Sequence, residues 1–324
     1  MGFMGTTHAA AFQKTAGVEV AAIVRRQRAG SEGGETTRKG NLDRPAEELD
    51  LSSAREFQDW RAMVRDSELD AVDICLPTDL HLEVTLAAIK AGKHVLCEKP
   101  MALTVPDCER MLTASREAGR VLMIGQVLRF WPEYVYLRQF VQGGEYGRIR
   151  SATFVRSCGL PDWSNWLPDE SRSGGAVLDL LVHDIDQALL LFGMPQRVVA
   201  KSFGGPDTVM ASLLYPSGPE VRIQGGWLPP GTPLQMSFQV RAEKAELEMN
   251  SEGLFLSDSS GNRRAVSAPG DDGYETEMKY FAECCRENKT PELCRPEDSL
   301  NAVKVALLIK QSRAAGGVQK ECLA

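Results

Sequence analysis

The sequence predicts an α/β chain: a doubly wound parallel sheet in the N-terminal part, then an α+β domain with a mainly antiparallel sheet. Length is the first reason, because 324 residues exceed what one typical hydrophobic core serves and suit two domains. From residue 18 to about 127, short β-rich apolar runs alternate with amphipathic helical stretches, the grammar of βαβ units. Past residue 128, strand-like runs follow one another across short turns. The expected division is therefore 1–127 and 128–324.

In the first part, the strand-like runs are Val18 to Val24, Ala71 to Leu76, His94 to Cys97 and Val121 to Gln126. Between them, Leu82, Thr85, Leu86 and Ile89 recur at helical spacing, and Gly92 stands where a helix end favours a left-handed residue. Thr104-Val-Pro-Asp107 reads as a helix start, with threonine as cap and proline in the first turn. The second part offers strand-like runs at Ser151 to Ser157, Arg197 to Phe203, Val209 to Tyr215, Val221 to Leu228 and Leu234 to Ala242. One helix, Gly175 to Phe192, interrupts them, and two more close the chain, about Tyr274 to Asn288 and Glu297 to Ala315.

Composition excludes several classes. With 43% hydrophobic and 25% charged residues, the chain matches a globular protein. A net charge of -7 argues against a face that gathers phosphate backbones or anionic lipid, so neither nucleic acid nor membrane is an expected partner. No apolar run approaches the roughly 18 to 20 residues a bilayer requires. Eight scattered cysteines without a Cys-x-x-Cys pair read as reduced thiols in a cytoplasm.

Gly2-Phe3-Met4-Gly5, ahead of a helix-like stretch and the strand Val18 to Val24, matches the back half of a dinucleotide-binding glycine loop. In the full motif, glycines let backbone amides approach a pyrophosphate at a helix N-terminus. The front half, an apolar strand and its first glycine, is not in this sequence. Two readings stand: the chain as given starts late, or the domain has lost its first strand. After the second strand come Arg25-Arg26-Gln27-Arg28, where an acidic residue would bind a ribose 2′-hydroxyl. Guanidinium groups pair with phosphate instead, so NADP is favoured over NAD.

The most specific stretch is Ala71-Val-Asp-Ile-Cys-Leu-Pro-Thr-Asp-Leu-His81, with Glu98-Lys99-Pro100 closing the next strand. A second is Asp179-Leu-Leu-Val-His183, where helical spacing would put carboxylate and imidazole on one face. An imidazole titrating near neutrality can collect a hydroxyl proton, and a carboxylate one turn away can orient it. Together these segments resemble the Gfo/Idh/MocA family of Rossmann-like oxidoreductases. The resemblance implies Lys99, Asp179 and His183 as the catalytic group, with His183 as proton acceptor. It implies a cofactor site around Gly2, Phe3, Met4, Gly5, Arg25, Arg26, Leu76, Pro77, Glu98 and Lys99. It also implies a substrate site from Arg129, Trp163, Trp166, Asp179 and His183, in which aromatic faces suit the apolar side of a sugar ring. Leu181 departs from the glycine this family often has between aspartate and histidine. No metal is expected, since nothing spaced near Asp179 and His183 completes a ligand set.

The expected activity is thus hydride transfer between a nicotinamide cofactor and a sugar, inositol or similar polyol, by a homodimer or homotetramer. The resemblance leaves two alternative readings for this chain: an NAD-dependent glycosidase, or a non-catalytic dinucleotide-sensing regulator of the same superfamily.

Overall fold

The computed structural model describes residues 2–25, 49–161, 164–205 and 207–322. Arg26 and Trp163 lie outside the described residues.

The chain starts with helix α1 (Phe3–Gln13), then strands β1 (Ala22–Val24) and β2 (Arg55–Phe57), and a single helical turn α2 (Trp60–Met63). Strand β3 (Ala71–Ile74) leads into α3 (His81–Lys90), β4 (His94–Glu98), α4 (Val105–Ala118) and β5 (Leu122–Gly125). The α4 start is the capped one expected: the Thr104 hydroxyl accepts from the Asp107 N–H, and Gly119 ends the helix at φ 58°. Strands β3, β4 and β5 pair in parallel, and β1 pairs in parallel with β2 as a separate sheet. The strand at Val18 to Val24 is shorter than expected, three residues. Every side chain of β4 is buried, as a strand covered on both faces must be.

Helix α5 (Pro132–Gln142), which the sequence reading did not identify, leads to the long strand β6 (Ile149–Gly159). The short helices α6 (Glu170–Ser173) and α7 (Gly175–Asp179) precede α8 (Val182–Phe192). Strands β7 (Arg197–Lys201), β8 (Thr208–Leu214), β9 (Glu220–Leu228), β10 (Gln235–Ala242), β11 (Ala245–Asn250), β12 (Gly253–Asp258) and β13 (Arg263–Ala265) follow. Helices α9 (Gly273–Glu287) and α10 (Pro296–Ala314) and the short strand β14 (Lys320–Glu321) end the chain.

Strands β6 to β14 form one sheet in the order β13-β12-β11-β10-β6-β9-β8-β7-β14, antiparallel except where β6 and β9 run parallel. Helix α8 lies against β6 and β9, and α10 against β7.

The two parts do not separate cleanly at residue 127. Tyr274, Met278 and Phe281 of α9 share a core with Ala11 of α1, Leu96 of β4 and Met123 of β5. The first lobe's sheet thus has one face covered by a helix from the far end of the chain. Helix α10 similarly touches α4 and β5.

Candidate active site

Lys99 follows β4 directly, at the C-terminal end of a parallel strand, where open α/β sheets bind ligands. Its Nζ donates to the Asp179 backbone carbonyl at 2.6 Å and to Asp179 Oδ1 at 3.2 Å. Both side chains are largely buried, and the pair bridges the two lobes. An ammonium has three N–H groups, so one remains for an incoming oxygen.

Asp179 and His183 do not stand on one continuous helix, as the spacing had suggested. The expected helix Gly175 to Phe192 is broken at Leu180 and Leu181 into α7 and α8. The Leu181 N–H bonds to the Ala176 carbonyl, five residues back, which widens the turn. Gly174 and Gly175 take positive φ values of 81° and 77°, so the segment enters α7 through a bend that a β-carbon would strain.

His183, the second residue of α8, has Nδ1 buried and without a hydrogen-bond partner among the described residues. Burial, then the positive charges of Lys99 and Arg156, hold its pKa well below the usual 6.5. The imidazole is therefore neutral at physiological pH. The next residue fixes the helix: Asp184 accepts from Arg156 Nε at 2.8 Å and Nη2 at 3.0 Å, and Nη2 also donates to the Tyr134 hydroxyl at 3.1 Å. That bidentate pair is buried.

Around Lys99 the backbone is pinned from two sides. Glu98 Oε2 accepts from the Lys99 N–H at 3.1 Å, and Glu98 Oε1 lies 3.0 Å from His8 Nε2. Burial alone would push the Glu98 carboxyl up, but His8 and Lys99 outweigh it and the net shift is downward. His81 spans the other side, with Nδ1 2.9 Å from the Pro100 carbonyl and Nε2 2.9 Å from the Leu76 carbonyl. It staples the end of β3 to the Glu98-Lys99-Pro100 turn. The sequence reading gave His81 no role; its place four residues beyond Pro77 in the matched segment was the available signal.

Arg129 is not at the cleft surface. Its side chain is 1% exposed and spent on Asp186, at 2.6 and 2.8 Å, and on Asp298 at 2.9 Å. A guanidinium committed to two carboxylates, with a further donation to the Leu293 carbonyl, has its donors used inside the protein rather than offered to a substrate. The Glu98 carboxylate, expected near the cofactor, is likewise engaged by His8 and the Lys99 amide. The partner of Arg129 was visible in one respect: Asp184 and Asp186 interrupt an apolar helix, and buried carboxylates require cations.

Leu76 and Pro77 are half-buried at the end of β3, beside the His81 staple. Trp166 packs on an apolar cluster that includes Cys158, Leu180 and Trp227. This cluster adjoins the site, because the charges of Asp179 and Lys99 act on the Cys158 thiol, which burial pushes up to about 11.

The residues present fit a nicotinamide dinucleotide. Gly2 is the exposed N-cap of α1, no side chain caps that helix, and a β-carbon at Gly2 would meet nothing within 4 Å. The first-turn amides of Phe3, Met4 and Gly5 are free of intrahelical bonds and suit an anion. A cleft of about 500 Å³ beside β1 and β2 is lined in part by Ile23, Arg25, Leu51, Ser52 and Glu56. It lies at the end of β1, the strand whose C-terminal end meets the ribose in dinucleotide-binding folds. Arg25 is half-exposed there, 3.6 Å from Glu56.

A family model described as "Oxidoreductase family, NAD-binding Rossmann fold" matches residues 1–126, and one described as "GFO/IDH/MocA C-terminal domain" matches residues 134–248. D-xylose 1-dehydrogenase (NADP(+)) 2 of Haloferax volcanii is 30% identical, over 84% of this chain and 86% of its own length. 1,5-Anhydro-D-fructose reductase of Ensifer adhaerens is 39% identical, over 48% of this chain and 50% of its own. Among solved structures, levoglucosan dehydrogenase in complex with NADH and levoglucosan superposes with a TM-score of 0.82 at 21% identity. That match covers 100% of this chain and 97% of the other. At that identity the likeness is one of fold.

Proposed function

The chain belongs to the Gfo/Idh/MocA family of NAD-binding oxidoreductases, and from that premise we infer that it transfers a hydride between a nicotinamide cofactor and a CH–OH carbon of a sugar, inositol or related polyol. The observation that carries this reading is the bridge from Lys99 of the first lobe to Asp179 of the second, beside a histidine kept neutral.

When bound, the dinucleotide supplies the hydride-accepting and hydride-donating chemistry. The protein's own residues do the rest. Gly2, Phe3, Met4 and Gly5 hold the pyrophosphate through backbone N–H groups. Lys99 directs its remaining N–H at the substrate oxygen and stabilises negative charge there. The neutral His183 imidazole accepts the hydroxyl proton in the oxidative direction and returns it in reduction. Asp179 aims the ammonium, and Arg156 with Asp184 fixes the helix start that carries the imidazole. Trp166 offers an apolar wall to the sugar ring. NADP stands ahead of NAD, because Arg25 offers a guanidinium where a 2′-phosphate would lie.

No helix among the described residues is long and apolar enough to cross a membrane, and no disulfide joins the eight cysteines; reduced thiols support a cytoplasmic location. A homodimer or homotetramer formed across the outer sheet face remains part of the proposal.

The test is a panel of aldoses, anhydrosugars and inositols offered with NADP and with NAD. Reduction of the dinucleotide, matched one to one by oxidised product, is expected. Folded protein that binds dinucleotide yet oxidises nothing in the panel contradicts the reading, as does sugar release with no net change in nicotinamide absorbance.

A further inference from the structure

A second group of chemistry-bearing side chains lies outside the Lys99, Asp179 and His183 constellation. Helix α1 brings His8, fully buried, against strand β3 and the residue that follows it. His8 Nδ1 is 3.1 Å from both Asp73 carboxylate oxygens and 3.4 Å from Cys75 Sγ, and Sγ is 3.5 to 3.6 Å from the same carboxylate. One nitrogen, one oxygen and one sulfur therefore form a triangle with each member near both others.

We propose that His8, Asp73 and Cys75 form a binding site for one tetrahedral divalent cation of the zinc class, with solvent as the fourth ligand.

Geometry supports it first. Zinc bonds of about 2.0 to 2.3 Å at tetrahedral angles give ligand-to-ligand edges of about 3.3 to 3.7 Å, so the observed triangle needs shifts of only a few tenths of an ångström. Imidazole with thiolate selects zinc or cobalt over magnesium or calcium. The other His8 nitrogen, Nε2, lies 3.0 Å from Glu98 Oε1, so a carboxylate stands on the far side of the imidazole, though without the geometry of a hydrogen bond. Access exists, because the Asp73 side chain is 22% exposed and Cys75 is half-buried, which leaves room for water.

A second observation lies on α9, which packs against α1: its Glu277 is fully buried, with both carboxylate oxygens unpartnered among the described residues. Metal binding exchanges the thiol proton, and any proton on His8 Nδ1, for two metal–ligand bonds, and the protons leave to solvent. The expectation of no metal was formed around Asp179 and His183; the members of this group stand 65 and 67 residues apart in sequence and form no local motif.

The full-length protein, free of dinucleotide, is titrated with Co²⁺ alone. Uptake of one equivalent is expected, with the visible bands of tetrahedral cobalt and a thiolate charge-transfer band, both lost on adding Zn²⁺. Cys75→Ser should keep the circular dichroism of the parent and lose the charge-transfer band. Asp73→Asn should weaken uptake by about 10-fold or more, and Cys285→Ser, at a half-buried thiol outside the triangle, should change nothing. Absence of stoichiometric uptake would mean a plain histidine–carboxylate ion pair and overturn the proposal. Survival of the charge-transfer band in Cys75→Ser would overturn it too.

Discussion

At His183 three influences act in one direction: burial strips the imidazolium of hydration, and the charges of Lys99 and Arg156 raise its cost further. The unfolded chain protonates this group near 6.5, the folded chain only well below it. Stability that the neutral ring contributes above 6.5 is therefore lost as pH falls through that value toward the depressed one. A His183→Asn variant should lose less stability than the parent between about pH 7 and about pH 5, read from urea midpoints; equal losses would count against the neutral imidazole. In the proposed reading, cofactor choice also rests on a single residue, Arg25. Arg25→Asp should move preference from NADP toward NAD, read by fluorescence titration with each dinucleotide, and unchanged affinities for both would remove Arg25 from the account. Lys99, Asp179 and His183 could be put forward from the sequence because each sits in a dense local motif, and the structure brings Lys99 to Asp179. The His8, Asp73, Cys75 and Glu277 group was not, because only the fold brings α1, β3 and α9 together.

Among elements, the α7–α8 break separates Asp179 from His183, and β6 carries the Arg156 that holds Asp184. The break was hidden from sequence reading because Leu180-Leu181-Val182 continues an apolar run that looks helical throughout. The parallel pairing of β6 with β9 depends on Gly225, at φ 153°, where a β-carbon would sit 1.7 Å from the Arg156 carbonyl oxygen. Gly225→Ala should therefore prevent normal pairing and abolish cooperative unfolding, whereas Gly204→Ala, with open space around it, should cost only the strain of its positive φ, about 1 kcal/mol. Calorimetry of the two variants separates these outcomes. Arg129, expected to meet substrate, ties η-nitrogen donors to α8 and to the start of α10 instead. Arg129→Met leaves Asp186 buried without its cation and should cost about 3 to 5 kcal/mol in denaturant unfolding.

For the molecule as a whole, the fold class was legible from alternation alone, since buried parallel strands and amphipathic helices leave distinct periods in the sequence. The division at residue 127 was less so. A helix that crosses back to cover another lobe carries no local mark of its destination, and α9 does this over Leu96, Val121 and Met123. A fragment ending at residue 127 should expose that apolar face, bind a hydrophobic dye and show no cooperative transition; a cooperative melt would assign α9 a lesser part. The two lobes meet where Lys99 contacts Asp179, and in the proposed reading His183 faces the same cleft. The most direct test of that cleft is the hydride-transfer rate of His183→Ala at saturating dinucleotide. The rate should fall by about 100-fold or more while dinucleotide affinity holds, and an unchanged rate would contradict the assignment.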